Sequence, residues 1–187
     1  ILVNIKGLDS KEFPKGVTPL QSMTDIKSVS KDSIICKVDG VLTDLSAQLS
    51  NDCDLQFMDA KSKDGHSVLL HSTAHLMAQA VKRLFPKTKV TIGPYLENRF
   101  YYDFDVETPF SEEDLAKIEA EMVKISNENL EIIHEVKSRD EALSFFSKIE
   151  EDYKVEIIND LDKDEILKVY SQGEFTDPVS YTHLRAH

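Results

Sequence analysis

The sequence predicts an α+β fold arranged as two domains. Three observations carry this reading. Short β-rich runs crowd the first sixty residues around one brief helix. A polar, glycine-ended stretch follows at 60–65. Beyond it, strands and longer amphipathic helices follow one another without a regular βαβ repeat. The chain has 187 residues, 41% of them apolar and 30% charged, the balance of a globular protein. No apolar run approaches the ~20 residues of a membrane helix, so no membrane partner is expected. The opening Ile1 to Ile5 carries no basic flank and reads as a strand, not a signal peptide. It also lacks an initial Met, so a longer reading frame is expected around it.

In the first domain, Ile1 to Ile5 alternates with strand period, and Phe13 to Thr18 is its expected hairpin partner. Thr18 followed by Pro19 has the form of an N-cap with proline at the first helical position, opening a helix to about Lys27. Ser33 to Val38 is a strand, Asp39-Gly40 supplies a type I′ turn, and Val41 to Thr43 returns. Asp54 to Met58 closes a small β-grasp-like sheet covered by one helix. This domain spans 1–60. Residues 61–65, within the polar run from Ala60 to Gly65, are the expected linker.

The second domain, 66–177, opens with a helix from about Ser67 to Phe85, along which Leu69, Leu70, Ala74, Met77, Ala78, Val81 and Leu84 recur at helical spacing. Pro86 stops it. A strand at Lys89 to Ile92, a turn at Gly93-Pro94 and a strand at Arg99 to Asp105 follow. Ser111 and Asp114 form an expected capping box for a long helix to about Asn127. Leu130 to Val136 is a strand, Ser138 caps a helix, Glu150 to Ile158 is another, and Asp164 to Tyr170 is a strand. Residues 178–187 form an atypical tail.

The net charge of −12 argues against a non-specific nucleic-acid binder, which depends on broad phosphate neutralisation. It leaves room for RNA contact through a local strip, of which Lys82, Arg83, Lys87 and Lys89 are the only notable candidates. Cys36 and Cys53 form no Cys-x-x-Cys and fit a reducing compartment. His71 and His75 stand four residues apart on a helix and project from one face. Such a pair can ligate a metal, share a proton, or simply be satisfied at a helix–sheet seam. Ser72 follows His71 where a zinc-protease pattern needs glutamate. Tyr101 and Tyr102 face opposite sides of their strand. Asp177 closes a late turn, and Lys154 stands near a helix start. No spacing ties these last two to the histidines.

The ordered set from Val38 to Leu45, His71 to Ala80, Arg83 to Pro86, Ile92-Gly-Pro94 and Phe100-Tyr-Tyr-Asp103 resembles bacterial-type threonyl-tRNA synthetases. Tyr153 to Ile158 and Tyr170 to Asp177 extend the resemblance. It implies that the chain is the N-terminal part of such an enzyme, with a TGS domain followed by an editing domain that hydrolyses tRNA mischarged with serine. One methyl group separates serine from threonine, and a binding pocket gains only ~1–3 kcal/mol from it, so a second, hydrolytic site is the expected solution. The resemblance places the editing site on His71, His75, Tyr102, Lys154 and Asp177. The histidines and Lys154 would orient water and the tRNA terminus, while Asp177 and Tyr102 would read the substrate amine and hydroxyl. The implied partner is a threonine-accepting tRNA in the cytoplasm. No cofactor is expected in this stretch. ATP, Mg2+ and Zn2+, and a homodimer contact, belong to the aminoacylation core, which is expected to lie outside it.

The sequence departs from the family after Asp177. The family continues with a Cys-x-x-x-His element, whereas Val179 stands in the cysteine position and His183 in the histidine position among unrelated neighbours. The editing site is therefore expected to be incomplete. Two rival readings are an alanyl-tRNA editing-type hydrolase, which the leading TGS-like domain disfavours, and a TGS-containing regulatory or RNA-binding module without catalysis. The histidine helix and the absence of a GTPase loop disfavour the latter.

Overall fold

The computed structural model describes residues 1–26, 29, 31–91, 93, 95–96, 98–162 and 167–180. The fold is α+β, as the sequence predicts, and divides into two compact units, Ile1–Leu70 and His71–His187.

The first unit holds β1 (Leu2–Ile5), β2 (Lys11–Glu12), α1 (Pro19–Asp25), β3 (Ser33–Val38), β4 (Val41–Thr43) and β5 (Cys53–Asp59). Its sheet runs β2-β1-β5-β3-β4, with β1 parallel to β5 and the other pairs antiparallel. Strand alternation puts Val3 and Ile5 inside with Leu55, Cys36 and Phe13. The hairpin partner of β1 is Lys11–Glu12, not Phe13 to Thr18 as expected. Phe13 is drawn into the core instead. Thr18 caps α1 in a full capping box with Gln21, and Pro19 takes the first turn. Asp39 and Gly40 have φ of 51° and 80°, as the type I′ turn requires.

α2 (Lys63–Leu84) starts four residues before the expected Ser67. The cause is local. Ser62 Oγ accepts the Gly65 N–H at 3.1 Å, an N-cap arrangement. A Cβ on Gly65 would lie 1.9 Å from the Asp59 carbonyl oxygen, so this glycine permits close packing of the first helical turn on the end of β5.

The second unit continues with β6 (Lys89–Val90), β7 (Tyr95–Leu96), β8 (Arg99–Phe100), β9 (Phe104–Asp105), α3 (Glu112–Glu128), β10 (Ile132–Lys137), α4 (Arg139–Lys148), α5 (Asp152–Asp160), β11 (Leu167–Gln172) and β12 (Phe175–Ser180). The single strand expected over Arg99 to Asp105 is two short ones. β8 pairs with β7 and β9 with β6, and Tyr101 to Asp103 pass between them. The expected motif residues Ile92 and Pro94 lie outside the described residues, as do Lys27, His183 and residues 164–166, the start of the strand expected over Asp164 to Tyr170.

β10, β11 and β12 form an antiparallel sheet in that order. β12 replaces the turn that the sequence suggests at Asp177. Pro178 sits in it opposite Val169, which an outer strand tolerates. Gly173 begins the β11–β12 turn with φ of 57°, the left-handed conformation that glycine supplies there. Ala74, Ala78, Val90, Tyr102, Tyr170 and Phe175 pack as one core cluster. Ala80, Val81, Ile118 and Ile125 join α2 to α3, and Ala142, Phe146, Ile158, Leu167 and Val169 join α4 and α5 to β11. Ser111 and Ser138 cap α3 and α4 in complete capping boxes. Among the described residues no helix is long and apolar enough to cross a membrane.

Candidate functional site

α2 presents His71, His75, Gln79 and Arg83 at four-residue steps, and so along one face. The hairpin of β11 and β12 packs against that face, where Tyr170 and Phe175 lie with ring centroids 4.4 and 6.1 Å from the His75 ring. Asp177 stands on β12, 4% exposed, and collects three of the residues that the sequence singles out. Its Oδ2 accepts the Tyr102 hydroxyl at 2.8 Å and lies 3.2 Å from His75 Nε2. The Lys154 ammonium, from the first turns of α5, stands 2.5 Å from Oδ1 as an ion pair. Lys154 also donates to the Thr91 carbonyl at 2.8 Å and to the Tyr102 hydroxyl oxygen at 3.0 Å.

These contacts determine the charges. Burial pushes the Asp177 carboxyl up, but the Lys154 ammonium and the His75 N–H outweigh it and hold Asp177 well below the ordinary carboxylate range. Asp177 is thus ionised and acceptor-only, which assigns the His75 proton to Nε2. His75 Nδ1 is buried and has no hydrogen-bond partner. Burial, and then the Asp177 charge, drive the Tyr102 hydroxyl well above its usual value, so it remains a neutral donor. The same two causes raise Tyr170.

His71 is half-buried one turn before His75, with ring centroids 4.3 Å apart. The five predicted residues therefore lie at one place, and Tyr101 faces away, 43% exposed against 8% for Tyr102. Sequence reasoning missed what holds Tyr102. A Cβ on Gly93 would meet the Tyr102 ring at 2.2 Å, so the glycine read as a turn residue is the bed on which the ring lies. Glycine beside a motif tyrosine is the signal that could have shown it.

Three of the four residues of the basic strip, Lys82, Arg83 and Lys89, are already paired inside the unit. Lys82 pairs with Glu151 at 2.8 Å and Lys89 with Asp152 at 3.1 Å, while Arg83 meets Glu121, Glu128 and Glu174. Metal binding at Asp177 is poorly served, because an ammonium already stands at the carboxylate. Among the described residues no group of three or more His, Cys, Asp or Glu side chains could hold a metal ion.

Comparison with known proteins finds the same family along almost the whole chain. A threonine–tRNA ligase of Symbiobacterium thermophilum is 47% identical over 175 residues, covering 93% of this chain and 27% of the relative. The chain belongs to the threonine–tRNA ligase family. The enzyme of that name from Fusobacterium nucleatum is 49% identical over 174 residues, covering 92% of this chain and 27% of its own length. The one from Acetivibrio thermocellus is 40% identical over 187 residues, or 100% of this chain and 29% of its own. The chain thus spans just over a quarter of the length of these threonine–tRNA ligases, and the similarity is to their N-terminal part. No protein-family model matches the chain.

Proposed function

We propose that this chain serves a threonine–tRNA ligase as its N-terminal portion, with a TGS-like β-grasp domain followed by an editing domain that hydrolyses seryl esters of the threonine-accepting tRNA. The mixed sheet with one short helix supports the first part of that reading. The observation that carries the second is the buried His75–Asp177–Lys154–Tyr102 cluster, in which Asp177 Oδ1 is met by the Lys154 ammonium while His75 Nδ1 has no hydrogen-bond partner among the described residues.

The reaction is attack of water on an aminoacyl ester. It requires a group that takes or orients the water proton and a fixed field around the developing oxyanion. Asp177 accepts from Nε2–H, so in the Nε2–H tautomer of His75 the Nδ1 lone pair is directed away from the carboxylate and can accept a water O–H. His71, beside it, would help to confine that water. Lys154 directs its ammonium to the Thr91 carbonyl, the Tyr102 hydroxyl and Asp177, so its part is to fix the carboxylate and the tyrosine. A seryl amine or hydroxyl reaching Asp177 would share the carboxylate with Tyr102. Threonine activation, with ATP, Mg2+ and Zn2+, and dimer formation in the cytoplasm would belong to the whole enzyme. The His pair beside an ammonium offers zinc a poor site.

The test is deacylation of seryl-tRNA by the intact ligase. His75→Ala should lower kcat by roughly 10²- to 10⁴-fold, the usual contribution of a placed proton acceptor. An unchanged rate would remove His75 from the chemistry.

A further inference from the structure

The face of α2 that carries His75 continues into a second attachment to the same hairpin. Gln79, 1% exposed, donates from Nε2 to the Gln172 carbonyl at 3.1 Å and to Glu174 Oε1 at 3.2 Å. One turn further, Arg83 meets Glu174 with a fork: Nε to Oε1 at 2.5 Å and Nη2 to Oε2 at 3.2 Å. The same guanidinium holds Glu128 of α3 by a second fork, at 2.8 and 2.9 Å, and lies 3.2 Å from Glu121.

The two attachments are commensurate. His75 and Arg83 are separated by eight helical residues, or ~12 Å of axis. Glu174 closes the β11–β12 turn and Asp177 lies three residues further along the chain, a reach of at most ~10 Å. Helix and hairpin are therefore pinned at two points about equally spaced on both, one at His75–Asp177 and one at Arg83–Glu174. Apolar packing of Tyr170 and Phe175 and the pairing of β11 with β10 already hold the hairpin. The second pin adds a polar constraint on the angle at which the carboxylate meets Nε2.

We propose that Glu174, held by Gln79 and Arg83, is a positioning residue for the His75–Asp177 pair. This rests on the editing reading only for its kinetic consequence, and the geometric claim stands apart from it. The two forks of Arg83 supply a control, since Glu174 and Glu128 bind the same guanidinium but only Glu174 belongs to the hairpin.

Two measurements test it. In the 187-residue chain with 15N-labelled histidine, the His75 Nε2 resonance should broaden or shift in Glu174→Ala and remain in place in Glu128→Gln, at matched loss of Tm. In the intact ligase, Glu174→Ala should lower kcat for seryl-tRNA hydrolysis roughly ten- to a hundredfold with little change in KM, the loss expected of a small misplacement. Glu174→Asp, which keeps the charge, should recover part of it, and Glu128→Gln should hydrolyse as the unaltered enzyme does. An unchanged His75 resonance in Glu174→Ala, or equal effects of the Glu174 and Glu128 variants, would overturn the proposal. Asp177→Asn separates the two ideas. If it leaves hydrolysis intact, the editing reading fails. If it abolishes hydrolysis while Glu174→Ala does not lower kcat, the positioning role fails.

Discussion

A buried ion pair is costly to break because the survivor keeps its charge without its partner. Lys154→Met would leave Asp177 facing only His75 and Tyr102. We expect destabilisation of about 3–5 kcal/mol, the range for one-sided removal of such a pair, measurable by urea unfolding. Tyr102→Phe removes one hydroxyl that both donates to Asp177 and accepts from Lys154. The expected loss is about 1–3 kcal/mol, since two buried groups each lose a partner. Gly93→Ala puts a methyl into the Tyr102 ring. A crystal structure of that variant should show Tyr102 displaced from Asp177, at a cost of about 1–3 kcal/mol for overpacking. An undisturbed ring would show that the Gly93 backbone yields instead.

At the level of elements, local chemistry was legible wherever a side chain caps its own backbone. Thr18, Ser111 and Ser138 all cap their helices, because a hydroxyl three residues before a Gln, Asp or Glu satisfies the same donors in any context. Replacing Ser138 by Ala should cost about 1 kcal/mol in thermal unfolding. Asp39-Gly40 was legible for the same kind of reason. What the sequence hides is set by distant partners. Gly65 resembles a linker residue until Asp59 is seen against it. β12 carries Pro178 and lacks a regular apolar alternation, so it reads as a turn, and only pairing with β11 makes it a strand. The histidines and tyrosines of the candidate site were legible from the residues themselves. That His75, Tyr102, Lys154 and Asp177 converge was legible only through the family resemblance, because they come from four separate segments that no spacing links.

For the whole molecule, the acidic balance makes stability depend on pH in a definable direction. Fork contacts from Arg83 are the leading cause that holds Glu174 at about 2, below its ordinary 4.5. Asp177 is likewise held low, and Asp114, Glu128 and Glu141 are lowered mainly by hydrogen bonds to Ser111, Arg83 and Ser138. A depressed carboxylate stabilises the fold fully above its unfolded value, and that stability is lost as pH falls through the folded value. The urea midpoint should therefore be level near neutrality and decline below about pH 4.5 toward pH 2. Relief of repulsion among surface carboxylates acts in the opposite sense, but at 0.15 M salt it is screened beyond ~8 Å. Glu174→Gln should flatten part of the decline. Because Lys82, Arg83 and Lys89 are engaged internally, RNA contact through that strip would have to compete with its carboxylates. The four-residue steps of α2 also act as a ruler. One residue inserted between His75 and Gln79 would rotate the C-terminal half of the helix by about 100° and carry Gln79 and Arg83 off the hairpin. Seven inserted residues would restore the phase to within ~20° yet move Arg83 ~10 Å past Glu174. The segment from His75 to Arg83 therefore has one workable length, and working length variants of this domain are expected to carry their insertions elsewhere.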